Sequence, residues 1–450
     1  MKKILALTLA VLMVFGLLAC GGETAENNEV AATNEDSAAS GKAPEGKILV
    51  GFGRADLTPS SYSGIELVGY GGNGTPPTPM TGTLDKVYGT CVAITDSDGE
   101  TMLIYTLDTL YTTQAEVDEV RQFVQLKTGI PGERVVISAT HTHASMTYSQ
   151  IPDYFNKMAQ AAADALADRA VATIYAGHTD IQNMNYVRHY VTQDGTVVGD
   201  NFSKAVSATN PRVSHTTEAD KDMPMIHFKR EGDKKDILMV NWQAHPKVGS
   251  TAETASGLAQ RSMLSADFIG WARMAVEKQL DCHFAYYTGG AGNLNGIGWL
   301  DGERAQTPEL VNKYGEELAR QLIEGMANMK EVNAGKVQVS QQQFEVVPLV
   351  STATKVMEIT AIRVGDLAFT TVPFEMFDTN GKWIKENSPC ETTFVMTCAH
   401  MVRHEYIPAE YMWDYDTGSE TAYELTSCKH ERGTAERVSE ELVNMLKSFG

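Results

Sequence analysis

The sequence predicts an α/β fold: a single large domain in which mixed or parallel sheets are flanked by helices. Three features support this prediction. Short β-branched runs alternate with amphipathic helical stretches, one helix is joined to the strands on both sides by short loops, and no internal repeat or linker interrupts the chain after residue 46. A strand–helix–strand unit with short loops places its two strands parallel in one sheet. The 450 residues suffice for one big domain or two ordinary ones, and the missing linker favours one.

The chain begins with a targeting segment. Lys2 and Lys3 precede an apolar run over residues 4–18, and this run leads into Leu17-Leu18-Ala19-Cys20. These are the parts of a secretory signal peptide. Cys20 is placed as in the bacterial lipobox, in which the cysteine is lipidated and becomes the new N-terminus. The alternatives are a plain signal peptide with a chance cysteine or a membrane helix, although the run is short for a spanning helix. We predict a signal peptide over residues 1–19 and a lipid on Cys20.

The segment that follows predicts a flexible tether. Residues 20–46 are rich in Ala, Glu, Asn, Ser and Gly and hold almost no large apolar side chain, so they cannot bury enough surface to fold. The folded domain is predicted over residues 47–450. Together, these segments predict an exported lipoprotein that is anchored to a membrane through its lipid and faces outside the cytoplasm.

Composition and charge exclude one class of partner. The formal net charge is −20 and no basic cluster interrupts it, so the surface disfavours DNA or RNA. A hydrophobic content of 43% is normal for a globular protein. The charge therefore indicates solubility and no nucleic-acid function.

Cysteine usage leaves several alternatives open. Five cysteines follow Cys20, an odd number that leaves at least one thiol free. A structural zinc site made of Cys390, Cys398, His400 and His404 is poorly spaced, because an apolar strand over 393–396 fills the gap. A Cys390–Cys398 or Cys398–Cys428 disulfide suits an exported protein, but we favour packed thiols.

The central element is a strand–helix–strand unit. Thr113 and Glu116 have the spacing of a capping box at the start of a helix, and Gly129 closes it. The helix is predicted to bury one apolar face, formed by Val117, Val120 and Val124. A buried strand over 135–139 follows directly.

The remaining elements follow from local patterns in chain order. Further strands are predicted over 48–52, 90–95, 102–107, 172–176, 237–242, 283–287, 337–340, 358–364, 368–372 and 392–397. Further helices are predicted over 154–168, 267–279 and 435–446. Residues 183–222 show little periodicity, and a loop this long inside a compact domain is often functional.

Metal-type side chains follow several of these strands. His141 and His143 come directly after the strand over 135–139, His245 follows another strand end, and Glu375 follows a third; Tyr406 follows a fourth by a short loop. Ligands bind at the carboxyl ends of strands in open parallel sheets. Two imidazoles and a carboxylate are the ligands of many catalytic zinc sites, where zinc lowers the pKa of water. The pattern therefore predicts a metal site at strand carboxyl ends, with Zn²⁺ as cofactor.

Each of these residues also has a simpler interpretation. A single histidine or glutamate after a strand is usually an ordinary polar residue, and only the joint pattern favours a metal. The pair His141-x-His143 also occurs in amidohydrolase barrels and metallo-β-lactamase folds. The barrel expects the pair near the start of an eightfold βα repeat, and the β-lactamase motif continues with Asp-His where this chain has Ala144-Ser145-Met146.

The glycine-rich run over 289–296 is not a phosphate-binding loop. It lacks both a Lys-Ser/Thr pair and the Gly-x-Gly-x-x-Gly spacing. Glycines suit a backbone that must pass close to a ligand or metal. A tight structural turn explains the run equally well, and both alternatives stay open.

Several ordered motifs together resemble the N-terminal catalytic domain of the neutral/alkaline non-lysosomal ceramidases. The resemblance covers nearly the whole chain from Val50 onwards. The matching segments are Gly51-Phe52-Gly53-Arg54-Ala55-Asp56-Leu57-Thr58-Pro59, Gly69-Tyr70-Gly71, Ser138-Ala139-Thr140-His141-Thr142-His143, Asn241-Trp242 through His245-Pro246, Val372-Pro373-Phe374-Glu375, and Tyr406-Ile407-Pro408 with Glu410-Tyr411.

The resemblance implies a role for each matching residue. The family's zinc ligands fall on His141, His245, Glu375 and Tyr406. The second histidine of the motif, which in the family lies beside the substrate and the developing oxyanion, falls on His143. A family arginine near the substrate falls on Arg188, where the surrounding match is loose.

One segment departs from the family. Ceramidases carry Gly-Asp-Val-Ser-Pro-Asn where this chain has Gly292-Asn293-Leu294-Asn295-Gly296-Ile297, so the family's active-site serine falls on Asn295 and its aspartate on Asn293. Asparagine cannot serve as a nucleophile, but it can hydrogen-bond a substrate carbonyl. The change argues against ceramide itself as the substrate. It does not prevent hydrolysis by activated water.

The resemblance implies a zinc-dependent hydrolase that cleaves the amide bond of an N-acyl lipid or a related small molecule, with residues 47–450 as its catalytic domain. One alternative is a zinc hydrolase of an ester, glycan or cell-wall compound. Another is a non-catalytic lipoprotein that binds ligands at the cell surface.

Overall fold

The computed structural model describes residues 41–69, 77–199, 206–248, 262–296, 308–349, 354–402, 405–415 and 422–450. The predicted signal peptide, Cys20 and most of the predicted tether lie outside these ranges. Three residues of the quoted motifs, Tyr70, Gly71 and Ile297, also lie outside them, as does His404. The divisions at residues 19 and 46 therefore stay predictions.

The strands and helices are numbered in chain order. The strands are β1 (Ile48–Asp56), β2 (Glu66–Leu67), β3 (Thr78–Pro79), β4 (Gly82–Thr83), β5 (Tyr88–Thr95), β6 (Thr101–Leu107), β7 (Val135–Ala139), β8 (Ala170–Asp180), β9 (Asn185–Val187), β10 (His189–Thr192), β11 (Val197–Gly199), β12 (Arg212–His215), β13 (Asp222–Arg230), β14 (Ile237–Trp242), β15 (Met263–Leu264), β16 (His283–Thr288), β17 (Leu294–Gly296), β18 (Lys330–Val332), β19 (Val337–Val346), β20 (Lys355–Val364), β21 (Leu367–Thr371), β22 (Glu375–Met376), β23 (Thr392–Met396) and β24 (Tyr406–Ile407). The helices are α1 (Gln114–Thr128), α2 (Tyr154–Ala167), α3 (Phe268–Leu280), α4 (Pro308–Gly325), α5 (Asp378–Asn387), α6 (Glu410–Trp413), α7 (Tyr423–Ser427) and α8 (Thr434–Lys447).

The first sheet, which is the larger of the two main sheets, is mixed. Its strand order is β16-β14-β13-β8-β1-β5-β6-β7, and β18 also pairs with β8. The pairs β6–β7 and β14–β16 are parallel, and the other pairs are antiparallel. The predicted strand–helix–strand unit is confirmed, because α1 connects β6 to the parallel β7, with Leu103 opposite Val135 and Leu107 opposite Ala139.

The first sheet curls until its two edge strands meet. The Thr288 hydroxyl at the end of β16 donates a hydrogen bond to the Thr140 carbonyl just after β7, at 2.6 Å. The Thr106 hydroxyl of β6 donates to the Tyr286 carbonyl of β16, also at 2.6 Å. The carboxyl ends of β7 and β16 therefore lie side by side, although the strands are at opposite ends of the strand order.

The second sheet packs against the inner face of the first. Its order is β19-β20-β21-β23, with β21 and β23 parallel and the other pairs antiparallel. One buried core joins the two sheets, and it includes Val50, Ile104, Met239, Ile362, Phe369 and Phe394. All the described residues belong to one compact unit.

Helices cover the outer faces of both sheets. α1 and α2 pack on the first sheet around β5 and β6, and α3 and α4 pack on it around β13 and β14. α5 and α8 cover the second sheet. The result is the predicted α/β domain with mixed sheets and flanking helices, arranged as helix, sheet, sheet and helix layers.

Local sequence signals explain the ends of α1. The Thr113 side chain accepts a hydrogen bond from the Glu116 backbone N–H, and the Glu116 carboxylate accepts one from the Thr113 backbone N–H, so the predicted capping box is present. Gly129 ends the helix with φ at 78°. This left-handed conformation favours glycine.

The structure differs from the sequence prediction in several segments, of which three are the longest. Residues 183–222, predicted to lack periodicity, contain β9, β10, β11 and β12. Each is only three or four residues long, too short to show a period of two. Helix α5 was missed because it is short and polar and contains Gly381, and α4 was also missed.

The described cysteines are all buried free thiols: Cys91, Cys282, Cys390, Cys398 and Cys428. The prediction of packed thiols is confirmed, and the two disulfide alternatives are wrong. Within the described residues, no helix is both long and apolar enough to cross a membrane.

Candidate active site

Three histidines converge where the strands end. His141 follows β7 and His245 follows β14, and their Nε2 atoms lie 3.0 Å apart. One ligand nitrogen from each of His141, His143 and His245 falls within a group that spans at most 4.8 Å. Within the described residues this is the one such group of three or more metal-type side chains.

The outer ring nitrogen of each histidine meets a backbone carbonyl. His141 Nδ1 lies 2.6 Å from the Leu110 oxygen, His143 Nδ1 lies 2.6 Å from the Gly69 oxygen, and His245 Nδ1 lies 3.0 Å from the Ala291 oxygen. A carbonyl oxygen only accepts, so these contacts assign a proton to each Nδ1, and in a neutral ring they leave the lone pair on Nε2. The three lone pairs therefore suit a cation.

Glu375 completes the cluster from β22, which follows the second sheet's strand β21 and pairs with β24. Its Oε2 lies 3.1 Å from His141 Nε2 and 3.5 Å from His245 Nε2. The Glu375 backbone N–H donates to the Glu405 carbonyl, and β22 pairs with β24 so that Glu375 is opposite Tyr406. The Tyr406 phenol also interacts with the Glu375 carboxylate. The donor set therefore fits a divalent zinc ion: neutral imidazoles, one carboxylate and an adjacent phenol.

Burial distinguishes His143 from its neighbours. His141 and His245 are each 1% exposed and Glu375 is 2% exposed, whereas His143 is only partly buried. Of the three histidine residues, His143 is therefore the most exposed, although its Nε2 atom is itself buried.

The electrostatic surroundings favour uncharged rings at two positions. Desolvation lowers the pKa of His143 and His245, and the neighbouring His141 lowers it further. Desolvation also lowers the pKa of His141, but the nearby Cys398 and Glu375 outweigh this effect, so the pKa of that ring is raised. The Cys398 thiol lies 3.4 Å from His141 Nδ1. Burial raises the pKa of the Tyr406 phenol, and Glu375 adds to this effect, so the phenol is protonated at neutral pH.

The backbone at His141 is strained. Its φ is 68°, in the left-handed region that residues other than glycine rarely adopt. Such a conformation costs on the order of 1–3 kcal/mol and persists where the surroundings enforce it. Here it turns the chain sharply after β7 and directs the ring towards His245.

Arg188 lies beside Tyr406. Its Nε donates to Glu424 Oε1 at 2.5 Å, and its Nη2 donates to the Gly292 carbonyl at 2.7 Å and to the Tyr406 hydroxyl at 3.4 Å. Its Cζ lies 5.7 Å from the centroid of the Tyr406 ring. Burial opposes its charge, but Glu424 and Tyr406 raise the pKa of the guanidinium.

The glycine-rich run packs against the segment that carries Glu375. A Cβ on Gly292 would lie 2.7 Å from the Glu375 carbonyl oxygen, and a Cβ on Gly290 would lie 2.8 Å from the Phe377 oxygen. The Gly292 N–H donates to the Met376 carbonyl at 2.8 Å. These contacts explain glycine at both positions by packing within the protein, and they do not decide between the two alternatives for this run.

The two asparagines of the run have different positions. Asn293 accepts a hydrogen bond from the Asp378 backbone N–H at 2.9 Å and donates to its carboxylate at 2.7 Å, so it holds the start of α5. Asn295 lies in β17 opposite Tyr186 of β9, and its Nδ2 donates to the Tyr186 hydroxyl at 3.4 Å. Asn295 therefore contacts the strand that carries Tyr186.

Two side chains that contact this site were not predicted from the sequence. Cys398 touches His141, and its position just after β23 fits the same strand-end rule that identified the histidines. Glu424 contacts Arg188 from α7, a five-residue helix with no local signal. The structure otherwise brings together every predicted metal ligand, with Arg188 beside them.

The sequence also matches a known family over more than half of its length. The sequence profile described as "Neutral/alkaline non-lysosomal ceramidase, N-terminal" matches residues 48–311. The chain belongs to this family. Among curated protein sequences, none matches the chain significantly.

Solved structures agree on the fold. A structure described as "Ceramidase complexed with C2" and one of neutral ceramidase from Pseudomonas aeruginosa each superpose with a TM-score of 0.67 at 14% identity. Each comparison covers 90% of this chain and 75% of the other. Membership in the ceramidase family and the shared fold support a ceramidase-like hydrolase.

Proposed function

We propose that this protein is a zinc-dependent amidase that cleaves the N-acyl bond of a lipid-like substrate. The observation that carries the proposal is the convergence of the lone-pair nitrogens of His141, His143 and His245 with the Glu375 carboxylate, in a chain of the ceramidase family. The alternative of a non-catalytic binding lipoprotein does not explain why these four side chains converge on one point.

The proposed ligands are His141, His245 and Glu375, with Tyr406 as a fourth, weak ligand whose phenol keeps its proton. Zinc, when bound, acts as a Lewis acid and lowers the pKa of water, which makes attack on an amide feasible near neutral pH. The Nδ1 contacts of His141 and His245 to backbone carbonyls hold both rings in the tautomer that a cation requires.

His143 is proposed to move the proton. Its Nδ1–H is engaged by the Gly69 carbonyl, so Nε2 must accept a proton before it can donate one. That order suits a residue that takes a proton during attack and returns it to the departing amine. The partial exposure of His143 supports a place beside the substrate.

Arg188 and Tyr406 are proposed to stabilise negative charge on the attacked carbonyl. Arg188 orients the Tyr406 hydroxyl through a contact of 3.4 Å, and a protonated phenol donates a hydrogen bond to a developing oxyanion. Asn295 is proposed as a further donor to the substrate carbonyl. It cannot form a covalent acyl intermediate.

The proposed substrate is an N-acylated lipid, and Cys20 is proposed to hold the enzyme by a lipid anchor at a membrane outside the cytoplasm. One structural neighbour is a ceramidase complexed with C2, which supports a lipid substrate. Asn295, in the position of the family's serine, favours a second candidate in which the enzyme hydrolyses an ester, glycan or cell-wall compound.

A substrate panel tests the proposal. Purified protein with zinc would be assayed on N-acylsphingosine, short N-acyl amides and matched esters, with His245→Ala as the metal-site control. We expect amide hydrolysis that chelation abolishes, that zinc restores and that His245→Ala lacks. Turnover of the esters alone would support the second candidate. Wild-type activity that is insensitive to chelation would contradict zinc dependence.

A further inference from the structure

We propose that Glu424 is a positioning residue for the hydrolysis, because it fixes the guanidinium of Arg188 against Tyr406. This inference rests on the proposed function, since it assigns Arg188 and Tyr406 to the substrate side of that same site.

The contacts of Glu424 hold Arg188 from one side. Its Oε1 accepts from Arg188 Nε at 2.5 Å, and its Oε2 lies 2.7 Å from His189 Nε2. Arg188 Nη2 meanwhile donates to the Gly292 carbonyl at 2.7 Å. Contacts at two different nitrogens fix the plane of a guanidinium. In that plane, Nη2 also reaches the Tyr406 hydroxyl at 3.4 Å.

The carboxylate of Glu424 compensates the buried positive charge of Arg188. Arg188 is 4% exposed and Glu424 is 1% exposed, so the cation has little water to solvate it. Burial would raise the pKa of Glu424, but Arg188 and His189 lower it to about 2. The carboxylate therefore offsets the charge of Arg188, which would otherwise repel a cation held by the nearby histidines.

The helix that carries Glu424 contacts the site at a second point. The ring of Tyr423, the residue before Glu424, packs edge-on against the ring of Tyr406, with centroids 5.5 Å apart. Two adjacent residues of α7 thus contact Arg188 and Tyr406. α7 therefore supports both side chains proposed to stabilise the oxyanion.

The chain offers a matched control. Glu358 also bridges a buried arginine and a buried histidine: Arg121 donates to both of its oxygens, at 2.7 and 2.9 Å, and His400 Nδ1 lies 2.7 Å away. This cluster packs behind β7, where His400 Nε2 accepts from the Ile137 backbone N–H. It repeats the chemistry of the Glu424 cluster without a contact to Tyr406 among the described hydrogen bonds.

The test is a double-mutant cycle with Glu424→Gln, Arg188→Met and the pair combined. We expect Arg188→Met to lower kcat/KM ~100-fold and Glu424→Gln to lower it ~10-fold or more, because a small misplacement of a catalytic group is costly. The combined variant should match Arg188→Met within about twofold, since Glu424 acts only through Arg188. Glu358→Gln should unfold at lower denaturant while kcat changes less than about twofold.

A crystal structure of Glu424→Gln gives a readout that does not need activity. We expect the guanidinium to leave Tyr406 while the rest of the site stays in place. Losses that multiply in the combined variant, or an unmoved guanidinium, would overturn the inference. A wild-type enzyme that hydrolyses no compound of the panel would instead refute the proposed function, and the crystal structure would still decide the position of Arg188. The combined variant removes both buried charges, so it folds even where one single variant does not.

Discussion

His143 and His141 should respond differently to substitution, although only Thr142 separates them. His141 is 1% exposed and its Nε2 lies 3.0 Å from His245 and 3.1 Å from Glu375. His143 is partly exposed. We therefore expect His141→Ala to lose zinc and activity together, whereas His143→Ala keeps its zinc and its fold.

The size of the His143 effect follows from its proposed role. Loss of one positioned proton donor typically lowers turnover ~100-fold or more, which corresponds to about 2.7 kcal/mol of barrier. The substitution should leave KM nearly unchanged, because the donor acts on charge that develops only in the transition state.

The assay measures zinc content and turnover of both variants in parallel. The distances allow an opposite result, because the nitrogens of all three histidines lie within 4.8 Å. Equal zinc loss in both variants would show that His143 is a ligand as well. Near-normal turnover in His143→Ala would remove that residue from the mechanism.

Three further predictions follow from other features. Gly69→Ala should retain zinc and lower turnover, because its Cβ would lie 2.1 Å from the His143 carbonyl oxygen and displace that histidine; normal kcat would contradict this. Burial raises the pKa of Glu116 from 4.5 to about 7, so the folded state binds more protons than the unfolded state. The stability that this group contributes is complete below about pH 4.5 and is lost as pH rises through 7, on the order of 3 kcal/mol. Urea unfolding at pH 5 and 8 should show this loss in wild type and not in Glu116→Gln, where Tyr154 still provides a hydrogen-bond partner; equal pH dependence would refute it. Cys20→Ser should abolish acylation and membrane association, as metabolic lipid labelling and fractionation would show, and a variant that is still fully acylated and membrane-bound would rule out the lipobox.

The strand-end residues were predictable because their signal is local. A run of β-branched residues that stops at a polar side chain identifies both the strand and the ligand after it, as for His141 and His245. The sequence order also predicted the parallel β6–β7 pair through α1. These predictions needed no information about distant parts of the chain.

Other features depend on contacts that sequence does not encode locally. The carbonyls of Leu110, Gly69 and Ala291 hold the three imidazoles, and every residue has the same carbonyl group. The curling of the first sheet, which brings β16 beside β7, depends on packing between the two sheets. Glu424 reaches Arg188 from a short helix without a recognisable motif, so only the folded chain reveals it.

The most direct test of the central claim is the metal content of the purified protein after zinc-supplemented expression. Mass spectrometry of wild type should find about one zinc per chain, because the structure provides a single cluster of this type among its described residues. His245→Ala should lose that zinc. His178→Ala should keep it, because His178 pairs with Asp222 outside the cluster. A wild-type protein without a transition metal, or equal zinc in wild type and His245→Ala, would contradict the account.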